Sequence, residues 1–170
     1  MYYSTTYNSP LGVITLGSDG TNLVGLWNEG QKYHGASIPD AMAEKDGLPI
    51  FDSTKKWLDN YFASKKPSIS ELLLSPIGTE FRQKVWQVLR EIPYGEVITY
   101  GDIAQKIAKD KGNAASLSRA VGGAVGHNPI SIIIPCHRVI GANGKLTGYA
   151  GGLDKKQFLL KLEDAHVKFV

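Results

Sequence analysis

Cys136 is the only cysteine of the chain, with the His137 imidazole beside it and the Arg138 guanidinium two positions on. Cationic neighbours favour thiolate, the nucleophilic form of cysteine. The plainer reading, a small buried hydrophobe, is the common fate of a lone cysteine. Three features of the surroundings argue for chemistry instead. Residues 130–134, Ile-Ser-Ile-Ile-Ile, are β-branched and apolar, which predicts a buried strand. Pro135 cannot donate to a ladder, so it should end that strand and leave the thiol at its tip. Downstream, Gly141-Ala142-Asn143-Gly144 predicts a turn and Gly148-Tyr149-Ala150-Gly151-Gly152 a loop, and glycine-rich loops around a strand tip often build a site. Adjacent side chains of a regular strand face opposite ways. Cys136 and His137 can therefore cooperate only if the backbone bends at Pro135-Cys136 or a water bridges them. A third group should orient the histidine, and Glu163 is the best downstream carboxylate. Its expected place, the C-terminus of the last helix, is mildly unfavourable for a negative charge. A surface residue is the alternative reading of Glu163.

The elements that must position these groups fall into two runs. Residues 2–27 predict three short strands with turns at Asn8-Ser9-Pro10 and Ser18-Asp19-Gly20, an antiparallel meander. Residues 28–49 are polar and irregular. Residues 50–63 predict a helix with Phe51, Trp57, Leu58, Tyr61 and Phe62 mainly on one face, capped by Asp52 or Ser53. Leu72-Leu73-Leu74 predicts a short strand. Ser75-Pro76-Ile77-Gly78 marks a boundary, giving domains 1–74 and 75–170. Thr79 should cap a helix over residues 80–92, and Pro93-Tyr94-Gly95-Glu96 a turn. Thr99, with Asp102 in the capping-box position, opens a short helix. A turn over residues 110–113 and a helix over 116–125 complete a helix-turn-helix order. The stretch 106–116 is long for such a turn.

The second helix of that pair carries adjacent interior glycines, Gly122 and Gly123, each about 1 kcal/mol less favourable than alanine. Something should approach its backbone closely: another helix, or a nucleic-acid groove. Small residues with one protruding Arg119 cannot read a wide major groove, but suit a minor groove with the arginine as probe. Asn128 either forms a turn with Pro129 or ties the helix end to the site. The last helix, residues 153–162, should turn Phe158, Leu159 and Leu162 inward.

Composition sets the frame. The net charge of +3 is uneven: residues 1–74 hold 6 Lys+Arg against 8 Asp+Glu, and residues 75–170 hold 13 against 8. The half with the thiol is thus the basic half, as a polyanionic partner would require. No stretch approaches the roughly 20 apolar residues of a membrane span. The chain starts in strand-like sequence without a basic-then-apolar leader. One cysteine excludes an intramolecular disulfide and a cysteine-based zinc site, and a reducing, cytoplasmic setting is expected.

Arg119-Ala120-Val121-Gly122-Gly123-Ala124, Asn128-Pro129, Ile134-Pro135-Cys136-His137-Arg138-Val139 and Gly148-Tyr149-Ala150-Gly151-Gly152-Leu153 together resemble the methylated-DNA–protein-cysteine methyltransferases, the 6-O-alkylguanine-DNA alkyltransferase family. The likeness spans about residues 78–163; the first 74 match only in general layout. It implies an α+β fold: a small N-terminal α/β support domain with an antiparallel sheet, then a mostly helical, winged-helix-like domain carrying the helix-turn-helix and a short active-site strand. It implies single-turnover repair of duplex DNA: a 6-O-alkylguanine is flipped out and its alkyl group moves irreversibly to the protein.

On this chain the resemblance makes Cys136 the acceptor, His137 a water-assisted base and Glu163 its orienting group. Asn128 becomes the hinge between recognition helix and active-site strand. Arg119 fills the gap left by the flipped base, with Ala120, Gly122 and Gly123 against the minor groove. Tyr100 lies near the target phosphate and donates to the base. Pro135, Val139, Tyr149, Ala150 and Gly151 line the guanine pocket. No metal or organic cofactor is implied, since the zinc of some relatives uses cysteines this chain lacks. Ala150 stands where several relatives carry serine, which leaves tolerance of bulky adducts open. A monomer is expected, with cooperative assembly on DNA left open. The rivals are a helix-turn-helix DNA-binding or lesion-recognition protein without transfer activity, and a thiol hydrolase indifferent to DNA.

Overall fold

A computed structural model of the chain describes residues 1–111 and 114–165. It divides into two compact units, residues 1–77 with 129–133, and residues 78–128 with 134–170. The sequence placed the division at 74/75. The structure carries the first unit three residues further and gives it a five-residue segment from the middle of the second.

In the first unit, β1 (Tyr2–Ser9), β2 (Gly12–Ser18) and β3 (Leu23–Asn28) form the expected meander. Ser9 pairs with Gly12 across the first turn, where the Ser9 hydroxyl accepts from the Leu11 amide. A fourth strand, β4 (Met42–Glu44), lies in the stretch expected to be irregular and pairs parallel to β1, giving the order β3-β2-β1-β4. Helix α1 (Pro49–Phe62) buries Ile50, Phe51, Thr54, Trp57, Leu58 and Tyr61. It starts earlier than Asp52 or Ser53 would allow. Leu48 is its N-cap and Pro49 occupies its first turn, where a missing N–H is harmless.

Every residue of β3 is buried, because further chain segments from the same unit lie along it. Leu72-Leu73-Leu74 is not a strand: a 3₁₀ turn over Ile69–Glu71 precedes it, and only Leu74 bridges to Leu23. Likewise residues 130–134 are not a strand. Ile130 makes one bridge to Leu26 and the chain then turns. The Leu26 amide donates to Pro129 O (2.8 Å) and the Ser131 amide to Leu26 O (3.1 Å). Gln31 Oε1 takes three further donors, the Asn28 amide, Asn28 Nδ2 and Ser131 Oγ. The apolar run is buried as expected, but its backbone bonds go to β3 and to local turns, and the Ser131 hydroxyl to Gln31, not to a ladder of its own.

In the second unit, α2 (Glu80–Arg90) is capped by Thr79, whose hydroxyl accepts from the Arg82 amide. Two residues, β5 (Ile98–Thr99), lead into α3 (Tyr100–Lys111). Thr99 and Asp102 form the expected reciprocal box, each side chain accepting from the other's amide at 2.9–3.0 Å. α3 reaches Lys111, further than expected, and α4 (Ala114–Gly126) follows; the expected turn over 110–113 lies partly outside the described residues. Trp86 fixes α2 to α4 by donating from its indole to Ala124 O at 2.8 Å. Its ring lies so close over Gly78 that a Cβ there would stand 2.3 Å from it. A short β6 (Val139–Ile140) pairs parallel with β5, and α5 (Leu153–Leu162) closes the unit. No described helix is long and apolar enough to cross a membrane.

Candidate active site

Of the two routes by which Cys136 and His137 can cooperate, a bend or a bridging water, the backbone shows the bend, and it comes from turns. The Cys136 amide donates to Ile134 O at 2.8 Å around Pro135, whose φ −82° and ψ 67° make an inverse γ-turn. Cys136–Arg138 then forms one 3₁₀ turn, and β6 starts immediately after it. Three residues earlier the Ile133 amide donates to Ser131 O around Ile132, at φ +72°. That left-handed conformation is costly for a β-branched residue and is held by complete burial of the run. The thiol is therefore delivered on a rigid buried turn, not on a strand tip.

Asn128 is buried, and its Nδ2 donates to Ile134 O at 2.7 Å. It joins the second residue past α4 to the residue before Pro135, across the neck of the 129–133 segment. A side-chain amide thus ties the helix end to the site.

His137 is completely buried and its Nε2 lies 2.6 Å from Glu163 Oε2. Glu163, the C-cap of α5, is no surface residue. It also receives Arg138 Nε on Oε1 (2.7 Å), Arg138 Nη2 on Oε2 (3.1 Å) and the Gly95 amide on Oε1 (3.2 Å). Burial by itself would raise its carboxyl pKa, but the hydrogen bonds and charges of His137 and Arg138 outweigh that and hold it well below the usual carboxylate range. An ionised carboxylate only accepts, so Nε2 carries the proton of this bond. Burial, above all, depresses the histidine's own pKa; Glu163 opposes the shift, while Arg138 and Lys156 add to it. A neutral imidazole with its proton on Nε2 leaves Nδ1 as an acceptor, and Nδ1 is buried without a protein hydrogen-bond partner.

The hydrogen bonds of Arg138 run to Glu163 and to the backbone of Ile92. Besides Glu163 it binds Ile92 O through Nη1 (2.7 Å) and lies over the Tyr94 ring at 5.7 Å. A cation that interacts electrostatically with Cys136 is Lys156, which the sequence reading missed. Its ammonium is buried and donates to Val139 O (2.5 Å), Thr147 O (2.6 Å) and Gly148 O (3.3 Å), tying the glycine loop to β6. Burial lowers its pKa to about 8 against the pull of Cys136. The signal was present: Lys156, Leu159, Leu160 and Glu163 share one helical stripe, and this stripe faces inward. Phe158, expected in the core, is 39% exposed.

Tyr100, the first residue of α3, is placed near the thiol by the β5–β6 pairing of Thr99 with Ile140. Its hydroxyl pKa is raised, chiefly by burial, with the Cys136 charge adding and a hydrogen bond to Thr147 opposing. It is a protonated donor at neutral pH. Pro135 and Val139 are buried beside the nucleophile in sequence, whereas Tyr149, Ala150 and Gly151 sit half-exposed in the loop before α5.

α4 buries Val121, Ala124 and Val125 and exposes Ser118, Arg119, Ala120 and Gly123. A Cβ added at Gly122, Gly123 or Gly126 would meet nothing within 4 Å. The described residues therefore give those glycines no packing neighbour. The small-residue face is open, with Arg119 projecting from it. Among the described residues no group of three or more His, Cys, Asp or Glu is placed to hold a metal ion.

The chain is similar to known proteins over nearly its whole length. Residues 80–165 match the family described as 6-O-methylguanine DNA methyltransferase, DNA binding domain, and residues 1–76 its ribonuclease-like domain. A methylated-DNA–protein-cysteine methyltransferase of Methanosarcina acetivorans is 48% identical over 165 residues, covering 96% of this chain and 98% of its own. One from Haemophilus influenzae is 45% identical over 162 residues, 95% and 86% of the two chains. The crystal structure of Mycobacterium tuberculosis OGT in complex with DNA superposes with a TM-score of 0.82 at 42% identity, covering 96% of this chain and 92% of the other.

Proposed function

The chain belongs to the methylated-DNA–protein-cysteine methyltransferase family, whose members repair DNA by direct alkyl transfer, and from that premise we propose how its residues divide the work. Cys136 is the nucleophile and permanent acceptor. The observation that carries this assignment is the His137–Glu163 bond of 2.6 Å, buried next to the chain's one thiol and leaving Nδ1 as acceptor.

His137 Nδ1 takes the Cys136 proton through a bridging water, and the thiolate attacks the alkyl carbon of 6-O-alkylguanine. The S–C bond forms as the C–O bond breaks, and the released electron pair stays on guanine. Guanine takes up one proton, so the thiol hydrogen is balanced on the leaving base. Tyr100, held protonated by burial, donates to that base and lowers the charge it must carry. Lys156 stabilises the thiolate electrostatically. The thioether has no ready hydrolysis, so each chain acts once.

Duplex access falls to α4. Its open face of Ala120, Gly122 and Gly123 suits a minor groove, with Arg119 filling the space left by the flipped nucleotide. Flipping costs a few kcal/mol, and less at a weakened pair, which favours damaged sites. Asn128 acts as the hinge that couples α4 to the nucleophile's turn. Pro135, Val139, Tyr149, Ala150 and Gly151 form the guanine pocket. The protein works as a monomer in a reducing, cytoplasmic setting.

The test is intact-protein mass after mixing with excess duplex carrying one 6-O-methylguanine, followed by peptide mapping. One methyl increment on the Cys136 peptide, saturating at one per chain, is expected. An unchanged mass with DNA still bound would overturn the transfer reading in favour of a lesion-binding protein. An unchanged mass without binding would return Cys136 to the core.

A further inference from the structure

Glu163 serves two nitrogen donors at once, an imidazole and a guanidinium. Its Oε2 is shared by His137 Nε2 (2.6 Å) and Arg138 Nη2 (3.1 Å), while Oε1 takes Arg138 Nε (2.7 Å). A buried carboxylate demands one compensating positive charge. A histidine alone against it would settle as imidazolium, with both ring nitrogens donating and neither able to accept a proton. A guanidinium does not give up its proton, and its planar fork matches both carboxylate oxygens.

We infer that Arg138 is a positioning residue for the transfer: forked onto Glu163, it supplies the charge that would otherwise settle on His137, and so keeps Nδ1 open as a proton acceptor. This inference rests on the assignment of His137 as the base. Arg138 is built for such a fixed role, with Nη1 on Ile92 O at 2.7 Å and its plane over Tyr94. Of the other charged and titratable groups around His137, Lys156 pushes its pKa the same way but is committed to other acceptors. Lys156 of α5 donates to three backbone carbonyls. Tyr100 of α3 and Cys136 of the same turn carry no positive charge. The downward shift of His137, to which Arg138 contributes, has the sign this arrangement requires.

The experiment compares single-turnover transfer from 6-O-methylguanine duplex across pH 5–9 for the wild type, Arg138→Met and Arg138→Lys, with ¹⁵N chemical shifts of the His137 ring. Loss of a neighbouring charge moves a pKa by about one unit or more. The acid limb of Arg138→Met should therefore rise by at least about one pH unit, a tenfold loss of rate on that limb, with His137 titrating in parallel. Arg138→Lys, which restores a charge without the fork, should bring the limb back toward wild type. A rate lowered equally at every pH, with His137 titrating as before, would make Arg138 merely structural and overturn the inference. If Arg138→Met does not fold, the wild-type ring decides: at pH 7 it should carry its proton on Nε2 alone, and an imidazolium there refutes the inference. If wild type leaves Cys136 unalkylated, the functional reading fails, while the ring measurement still judges the charge assignment separately.

Discussion

Replacing Glu163 by glutamine keeps the shape of the side chain and removes its charge. The carboxylate accepts hydrogen bonds from His137, twice from Arg138 and from Gly95, at 2.6–3.2 Å. Glutamine offers one acceptor oxygen and an NH₂ that must face either the His137 or the Arg138 donors. The buried Arg138 also loses its counter-charge. Breaking a buried pair by removing one partner costs about 3–5 kcal/mol; with the volume retained we expect the low end, about 3 kcal/mol. For a chain of this size that is a fall of about 6–12 °C in Tm. The effect on transfer should be larger still. Without an anionic acceptor the imidazole is released from the Nε2–H tautomer, and Nδ1 is no longer held as the base. General-base assistance contributes about 10²–10⁴ in rate, and most of it should be lost. The assay is rapid-quench single-turnover transfer at a temperature where denaturation shows the variant fully folded. Transfer within threefold of wild type under those conditions would refute the role given to the pair.

Three further outcomes are expected. Stability to urea should fall as pH drops below about 6.5 and further below about 4.5: the folded pKa values of His137 and Glu163 both lie under these ordinary values, so the unfolded chain binds more protons there; a flat profile between pH 8 and 4 would contradict this. Gly123→Ala should stabilise the fold by up to about 1 kcal/mol, since the new Cβ meets nothing, yet weaken duplex binding in a fluorescence-anisotropy titration; unchanged affinity would remove α4 from the interface. Arg119→Ala should slow repair in duplex DNA more than reaction with the free 6-O-methylguanine base, because only the duplex has a gap to fill; equal slowing would argue against that role.

What the sequence made legible, and what it hid, follows from how far apart the deciding atoms lie. Local signals were readable: Thr79 and the Thr99–Asp102 box set helix starts through bonds three residues long. The lone thiol beside an imidazole, the glycine-shaved helix and Glu163 as the orienting carboxylate were also legible, because their residue types are odd for core or surface. Residues 130–134 were misread because composition reports burial and not hydrogen bonding. Their partners, Leu26 and Gln31, lie a hundred residues away, and the left-handed Ile132 breaks the extended path. Lys156 was missed for the opposite reason: charge hid a buried position that helical spacing marked. The fork of Arg138 onto Glu163 was not legible, since adjacency to a thiol says nothing about which way a long side chain runs. Both cations end on acceptors that only tertiary structure supplies, Lys156 on Val139, Thr147 and Gly148, and Arg138 on Glu163 and Ile92. On the assignment proposed above, one buried turn carries a nucleophile, a base and the base's charge control in three consecutive residues, 136 to 138. Those three positions work only because α5 returns Glu163 and Lys156 to them, which ties the chemistry to the packing of the last helix.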